Sequence, residues 1–380
     1  MGGASPEVMK KLKILYTIPN FDTAGSGKAL LNIALGLDEE KFEPHILCLH
    51  RKGDFFKIVE ESGIPVHVFD YIPKERPVFQ MLKNCFKISK KLKEINPDIV
   101  HSFHYSSNYT EALSARFAGI KWVFTKKNMS WGGSSKNSWK IRSFLANKII
   151  IQNTDMGIQF YPKSNKTMLI PRGVIIEKFK FSNPNPEIRT LMNTSQNQRI
   201  MICVANFVPV KGIEILINAF NKIKDGYPDW NLWLVGDDKN EYGIKLHELV
   251  NALNLTSRII FSGRQLNVSD YLNHSEIFIL PTQDKGEGSP VALLEAMANS
   301  KVVLGSEVPG IKDQLQNFPN HVFTPKNSEE LAEKLSALMS ENKSDLQKKG
   351  ARFYKHVSKN YAIEAEIFKH EELYFKIAYP

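Results

Sequence analysis

The feature of this 380-residue sequence that most limits its fold is a regular alternation of short β-rich runs with helix-like stretches, which occurs twice. In the first series the runs KLKILYTIP, EPHILCLH, PVHVFDY, DIVHSF, KWVFTK, KIIIQN and TMLIP are separated by segments such as KALLNIALGL and SNYTEALSARFAG. Such alternation predicts a parallel sheet covered by helices on both faces. A polar stretch at 180–199, KFSNPNPEIRTLMNTSQNQR, interrupts the pattern and reads as a linker with a short helix. A second series then begins at RIMICVA, with NLWLVG, IIFSG, IFILPT, KVVLGS and HVFTP as strands. The expected class is therefore α/β, with two Rossmann-like domains over 10–180 and 181–361 and a closing helix at 362–378. Open sheets of this kind bind ligands at the carboxyl ends of their strands.

Within the second series, GEGSPVALLEAMANS at 286–300 places Glu287 and Glu295 eight positions apart around a helix start. Ser289 is expected as the N-cap and Pro290 as the first helical residue, followed by the apolar residues Val291, Leu293, Leu294 and Met297. Free backbone amides and the positive end of the helix dipole favour an anion there, and Gly286 and Gly288 let the backbone approach it. Glu287 and Glu295 are then separated by roughly 7–8 Å along the axis between loop and helix interior. A carboxylate accepts hydrogen bonds, so both suit hydroxyls on either side of a diphosphate. A capped surface helix with two solvated acids is the alternative reading.

The glycine segment Gly25-Ser26-Gly27-Lys28 excludes two nucleotide motifs. A P-loop would need glycine where Asp22 stands and Ser or Thr where Ala29 stands. A dinucleotide fingerprint would need a third glycine at Leu30. What remains is a strand, a glycine turn and a helix start suited to a phosphate or to a sugar, or else a plain strand-to-helix turn. Lys211 precedes Gly212 at another helix start, where a flexible cation faces a place suited to an anion.

The Glu-x7-Glu stretch resembles the signature of glycosyltransferase family 4, retaining enzymes of two Rossmann-like domains facing across a cleft (GT-B). Five further segments match in order: 23–37, 97–120, 170–179, 204–220, and WLVGDD at 233–238 with IIFSGR at 259–264. The resemblance implies transfer of a sugar from a nucleoside diphosphate sugar, UDP-linked, to a lipid-linked or polysaccharide acceptor in cell-envelope glycan synthesis. It implies catalytic roles for Glu287, Lys211 and His104. Donor contacts are expected from Gly25, Gly27, Asn206, Lys211, Gly236, Arg264, Glu287, Gly288, Ser289, Pro290, Val291 and Glu295. No cofactor and no metal are expected, since the leaving diphosphate would be stabilised by Lys211 and helix amides, and no Asp-x-Asp carboxylate pair is found. Two positions depart from the family pattern: Asn206 stands where an arginine is usual, and Lys127 and Asn128 occupy the place of a histidine. His101 and His104 end a strand, as sugar or acceptor contacts or as core histidines. A nucleotide-sugar epimerase and a non-catalytic nucleotide-sugar-binding subunit of the same fold are the competing functions.

The formal charge of +10 attracts phosphates, nucleic acid or anionic lipid head groups, but no nucleic-acid-binding motif accompanies it. Residues 73–98 read as a basic amphipathic helix that either packs on a sheet with its lysines in water or lies on an inner-leaflet membrane surface. No apolar run reaches the roughly 18–20 residues that cross a bilayer. The leader MGGASPEV lacks the marks of a signal peptide, which suggests a cytoplasmic protein, peripheral on the cytoplasmic face of the membrane if the basic helix binds lipid. Cys48, Cys85 and Cys203 are expected as buried reduced thiols.

Overall fold

The computed structural model describes residues 10–22, 24–53, 55–131, 136–283 and 286–379; the leader MGGASPEV lies outside the described residues. The chain divides into two units. The first runs to Gln152 and adds Met156–Ile170 and the closing segment from Glu364; the second comprises Asn153–Asp155 and Pro171–Ile363. The chain thus crosses between the units at 152/153, 155/156, 170/171 and 363/364, and residues 171–180 group with the second unit.

In the first unit seven strands form one sheet: β1 (Leu12–Thr17), β2 (Phe42–Cys48), β3 (Val66–Val68), β4 (Ile99–Ser102), β5 (Lys121–Lys126), β6 (Lys148–Ile151) and β7 (Thr167–Leu169). Their order is β3-β2-β1-β4-β5-β6-β7, with every pairing parallel. In the second unit β8 (Arg199–Val204), β9 (Trp230–Val235), β10 (Ile259–Gly263), β11 (Ile277–Leu280), β12 (Val302–Ser306) and β13 (Val322–Phe323) follow the order β10-β9-β8-β11-β12-β13, again parallel. Parallel strands are covered on both faces, which is why β1, β9, β11 and β12 read as near-continuous apolar runs and are buried almost throughout. Each sheet reverses its winding once, between β1 and β4 and between β8 and β11. These are the two places where loops after adjacent strands diverge and leave a crevice.

The closing helix, Ile363–Ala378, packs in the first unit from Glu364 onward. Tyr374 hydrogen-bonds His101 Nδ1 at 2.7 Å and Tyr16 at 3.1 Å, and Glu371 accepts from the Asp38 amide at 2.8 Å. The basic segment forms the helix Val78–Ile95, ended by Asn96 in the left-handed region. It buries Met81, Cys85, Ile88, Ser89 and Leu92 and leaves Lys83, Lys87, Lys90, Lys91 and Lys93 exposed. In the linker stretch, Asn185 caps the helix Pro186–Leu191 by accepting from the Glu187 amide. All three cysteines are free and buried.

Candidate active site

At the second unit's switch point the loops after β8 and β11 are joined. The Gln283 amide donates to Val210 O at 2.8 Å, and Gln283 Nε2 donates to Glu214 Oε1 at 2.6 Å. The other oxygen of Glu214 accepts from the Tyr242 hydroxyl, which itself accepts from the Ile213 amide at 3.1 Å. Gly212 sits at φ +62, and a Cβ there would run into the Pro281 carbonyl, so only glycine lets this turn lie on the end of β11. The consequence is that Lys211, one residue earlier, is held over the switch point.

The Lys211 ammonium pairs with Glu287 Oε1, and both side chains are largely buried. Thr282 donates a second hydrogen bond to the same oxygen at 2.7 Å. Glu287 Oε2 has no hydrogen bond to any described residue, which leaves an acceptor for a hydroxyl. The loop backbone is tied down as well: Asn153 Nδ2 donates to the carbonyls of Glu287 at 2.9 Å and Gly288 at 2.7 Å, and the Glu287 amide donates to Pro309 O.

The helix here is Val291–Ala298 with Pro290 in the cap position, which corrects the expectation that Ser289 caps it. Proline at φ −71 and ψ 110 is already extended and offers no side-chain cap. The Ser289 hydroxyl accepts instead from the Arg172 amide at 3.2 Å and from Gln314 Nε2 at 3.1 Å. The first amides of the helix thus lack a side-chain cap, with Val291 half-buried beside them. Glu295 is buried inside the helix.

Asn206 and Arg264 follow the ends of β8 and β10 and are exposed, and Gly236 follows β9 where its backbone packs against Phe207. The second unit therefore brings Lys211, Glu287, Gly288, Ser289, Pro290 and Val291 together at one switch point, with Asn206, Gly236 and Arg264 on neighbouring strand ends. Sequence reasoning missed Thr282, Glu214, Gln283 and Tyr242. Only the neighbouring Gly212 signalled that a close backbone approach occurs there.

In the first unit the glycine segment is not a turn. The helix Ala24–Gly36 already contains Gly25 and Gly27, a correction with a steric reason for the second of them. A Cβ at Gly27 would lie 2.7 Å from the Phe21 ring, whereas Gly25 faces open space. Lys127, which stands in place of the family histidine, donates to Ser26 Oγ at 3.0 Å and to the Phe103 carbonyl, and so links this helix to the end of β4.

His101 is a core residue, held between Tyr374 and Thr125 and fully buried. His104 lies beyond the end of β4, and its Nδ1 is buried without a hydrogen-bond partner among the described residues. Burial, helped by the positive charges of Arg142 and Lys127, pushes its pKa down to about 3. It is a neutral imidazole at physiological pH, suited to a hydrogen bond with a hydroxyl rather than to acid catalysis.

Beneath it, Arg142 is fully buried, stacked 4.7 Å from the Trp122 ring centroid and 3.8 Å from Glu111 Oε2. Arg142 donates to Ser102 Oγ, to the His104 carbonyl (both 3.0 Å) and to the Asn108 carbonyl at 2.5 Å. Glu111 in turn accepts from Thr17 at the end of β1 and Ser102 at the end of β4. Buried Lys126 orders the next loop, donating to Asn128 O at 2.6 Å and to Ser130 O. Its ammonium is ringed by Tyr105, Trp131, Trp139 and Phe160, and burial pulls its pKa down to about 7.

Among the described residues no group of three or more His, Cys, Asp or Glu side chains is arranged to hold a metal ion, and no helix is long and apolar enough to cross a membrane.

Residues 23–178 match the family model described as Glycosyltransferase Family 4, and residues 185–356 match that described as Glycosyl transferases group 1. The chain is 25% identical over 324 residues to the N,N'-diacetylbacillosaminyl-diphospho-undecaprenol alpha-1,3-N-acetylgalactosaminyltransferase of Campylobacter jejuni, covering 77% of this chain and 84% of that protein. It is 24% identical over 330 residues to the capsular polysaccharide biosynthesis glycosyltransferase CapH of Staphylococcus aureus, covering 82% and 86%. Among solved structures, Anabaena HepE in complex with UDP and glucose superposes with a TM-score of 0.80 at 20% identity, covering 95% of this chain and 99% of that one.

Proposed function

Because this chain belongs to glycosyltransferase family 4, we propose that it transfers a sugar, with retention of anomeric configuration and without a metal, from a UDP-sugar to a lipid-linked or polysaccharide acceptor in cell-envelope glycan synthesis. The observation that carries this reading is the Lys211–Glu287 pair at the second unit's switch point, beside a helix start without a side-chain cap. A cation and oriented amides suit a diphosphate, and a carboxylate oxygen left open beside them suits a sugar hydroxyl. Glu295, inside the helix, is assigned to a ribose hydroxyl. UDP is taken as the nucleotide carried by the Anabaena neighbour. The acceptor class follows the undecaprenol-linked and capsular substrates that the relatives' names print. In the first unit, His104 and Lys127 are assigned to acceptor or sugar hydroxyls.

The chemistry fits retention by attack on the face from which the diphosphate departs. Negative charge then grows on the leaving oxygen, and Lys211 with the helix amides stabilises it more in the transition state than in the ground state. The β-phosphate accepts the acceptor's proton, so no protein base is invoked.

Thermal melting tests the donor site directly. UDP without metal should raise the melting point by several degrees, about 2.7 kcal/mol at 100 times its Kd, and Glu295→Ala should remove most of that shift. Equal shifts with GDP, ADP and CMP would defeat the nucleotide assignment. NMR of the product should show the donor's anomeric configuration preserved; an inverted linkage would overturn retention.

Peripheral membrane attachment through the helix Val78–Ile95 belongs to the same proposal. Phe79 is 81% and Phe86 56% exposed among the exposed lysines, and Lys90 Nζ lies 5.2 Å from the Phe86 ring centroid. Aromatic side chains insert between acyl chains while each lysine near an anionic surface adds about 1 kcal/mol. Sedimentation with phosphatidylglycerol vesicles should therefore exceed that with phosphatidylcholine vesicles and fall about tenfold or more in Phe79→Ser/Phe86→Ser. Undiminished sedimentation of the double variant would eliminate this surface.

A further inference from the structure

At the opposite end of the second unit's strands lies a cavity of about 590 Å³. Its lining includes Arg199's partner Glu276, just before β11, and Lys301, just before β12. It therefore opens at the amino ends of β11 and β12, about 13 Å from the carboxyl end of β11, the four-residue strand that leads into the Glu287 loop. Its size falls in the range of small-molecule sites.

Three features of its wall are unexplained by folding. First, Lys301 is only 5% exposed, yet its ammonium makes no hydrogen bond or ion pair with any described residue. The Phe181 ring centroid lies 4.8 Å from Nζ, and Glu276 is the opposite charge that acts on the ammonium without bonding to it. An unpaired buried ammonium costs stability, and burial accordingly pulls its pKa down to about 7. Second, Asn299 is fully buried, and its Nδ2 donates to Phe179 O at 2.7 Å and Asn273 Oδ1 at 2.9 Å while its Oδ1 has no donor among the described residues. Third, Glu276, the only acid among the described residues of the wall, is held by Arg199 through Nε at 3.1 Å and Nη2 at 2.6 Å. Arg189 and Lys343 complete a basic lining, and Lys343 opens the 18-residue helix Lys343–Asn360.

We propose that this cavity is a second ligand site, separate from the donor site, for a small hydroxylated organic anion: its charged group meets Lys301 and Lys343, a hydroxyl donates to Asn299 Oδ1, and its carbon face packs on Phe181. A sugar phosphate and a sugar acid share that chemistry. The site adjoins the C-terminal end of the helix Val291–Ala298, for which Asn299 is the capping residue and whose opposite end bears the donor loop. An occupant there contacts the element that positions Glu295.

The test is calorimetric binding of glucose 6-phosphate, gluconate and inorganic phosphate to the full chain and to Lys301→Met, Lys343→Glu and Lys211→Ala. At least one of the two organic anions should bind, with affinity about tenfold or more lower in Lys301→Met, several-fold lower in Lys343→Glu, and unchanged in Lys211→Ala. Which of the two binds separates phosphate from carboxylate recognition. Lys301→Met should also melt no lower than the parent, because it replaces an unpaired buried ammonium with an apolar chain of similar length. The proposal fails if neither organic anion binds, if binding survives Lys301→Met, or if it is lost in Lys211→Ala instead. Inorganic phosphate binding as tightly as glucose 6-phosphate would overturn the role given to Asn299, and a lower melting point of unliganded Lys301→Met would make Lys301 a structural residue.

Discussion

Replacing Lys211 by alanine should lower the turnover number of sugar transfer by about 10²–10³-fold, the usual effect of deleting one group that stabilises developing negative charge in a dry site. The reason is local. Lys211 is the cation at the switch point of the second sheet, placed by the left-handed Gly212 turn and by the hydrogen bonds that join Gln283 to Val210 and Glu214. Its loss also leaves the Glu287 carboxylate with Thr282 as its one remaining partner among the described residues, so in the proposed reaction an acidic group would face the leaving diphosphate without its counter-charge. Because the interaction strengthens as the diphosphate departs, kcat should fall while the donor KM changes far less. Lys211→Arg should recover little, since a planar guanidinium fork cannot take the place of a compact ammonium in so closely packed a turn. Steady-state kinetics with a UDP-sugar measures both; an unchanged kcat with a raised KM would make Lys211 a binding residue only.

Replacing Arg142 by methionine should destabilise the first unit by about 3–5 kcal/mol, because removing one partner of a buried ion pair leaves the other buried and uncompensated. Arg142 is wholly buried and Glu111 nearly so, and Thr17 and Ser102 are then the carboxylate's remaining partners at the ends of β1 and β4. The carbonyls of Asn108 and His104 lose their guanidinium donor in the same step. For a unit of this size that corresponds to a fall of roughly 6–20 °C in its melting transition, readable by calorimetry. The double variant Arg142→Met/Glu111→Gln should regain part of the loss, because a neutral amide is cheaper to bury than a lone carboxylate. A single variant as stable as the parent would show that the pair contributes nothing to holding the His104 loop.

Local patterns carried much of this protein in plain view. Strands buried on both faces are apolar almost throughout, so β1, β8, β9, β11 and β12 could be recognised from composition over a few residues, and the helices between them implied parallel pairing. Gly212, Lys211 and the Glu287/Glu295 spacing were legible for the same reason: a turn that only glycine tolerates and a helix start are short-range features. The basic helix showed its lysines and its apolar stripe, but not that Phe79 and Phe86 stand outside that stripe.

Tertiary structure alone decided which of two similar residues is locked into the core and which is left with an open nitrogen. His101 and His104 are three positions apart, yet one lies within β4, enclosed by Tyr374 from the far end of the chain, and the other lies past the strand end with an unpartnered nitrogen. Ser289 carried a cap signal, but the proline that follows it took the cap position, and the hydroxyl went to Arg172 and Gln314. Gly27 looked like a turn residue and is glycine because Phe21 packs on it. The partners that orient Lys211 come from Thr282, Gln283 and Tyr242, about 30 to 70 residues away in sequence, and the cavity at Lys301 gathers residues from 181 to 351. Sequence by itself determined the alternating elements, the double-series architecture and the chemical types of the site, because these depend on periodicity and backbone preference within a few residues. Which side chains meet, which charges are left unpaired and where the chain passes between units depend on contacts between distant segments, and only the folded chain brings those together.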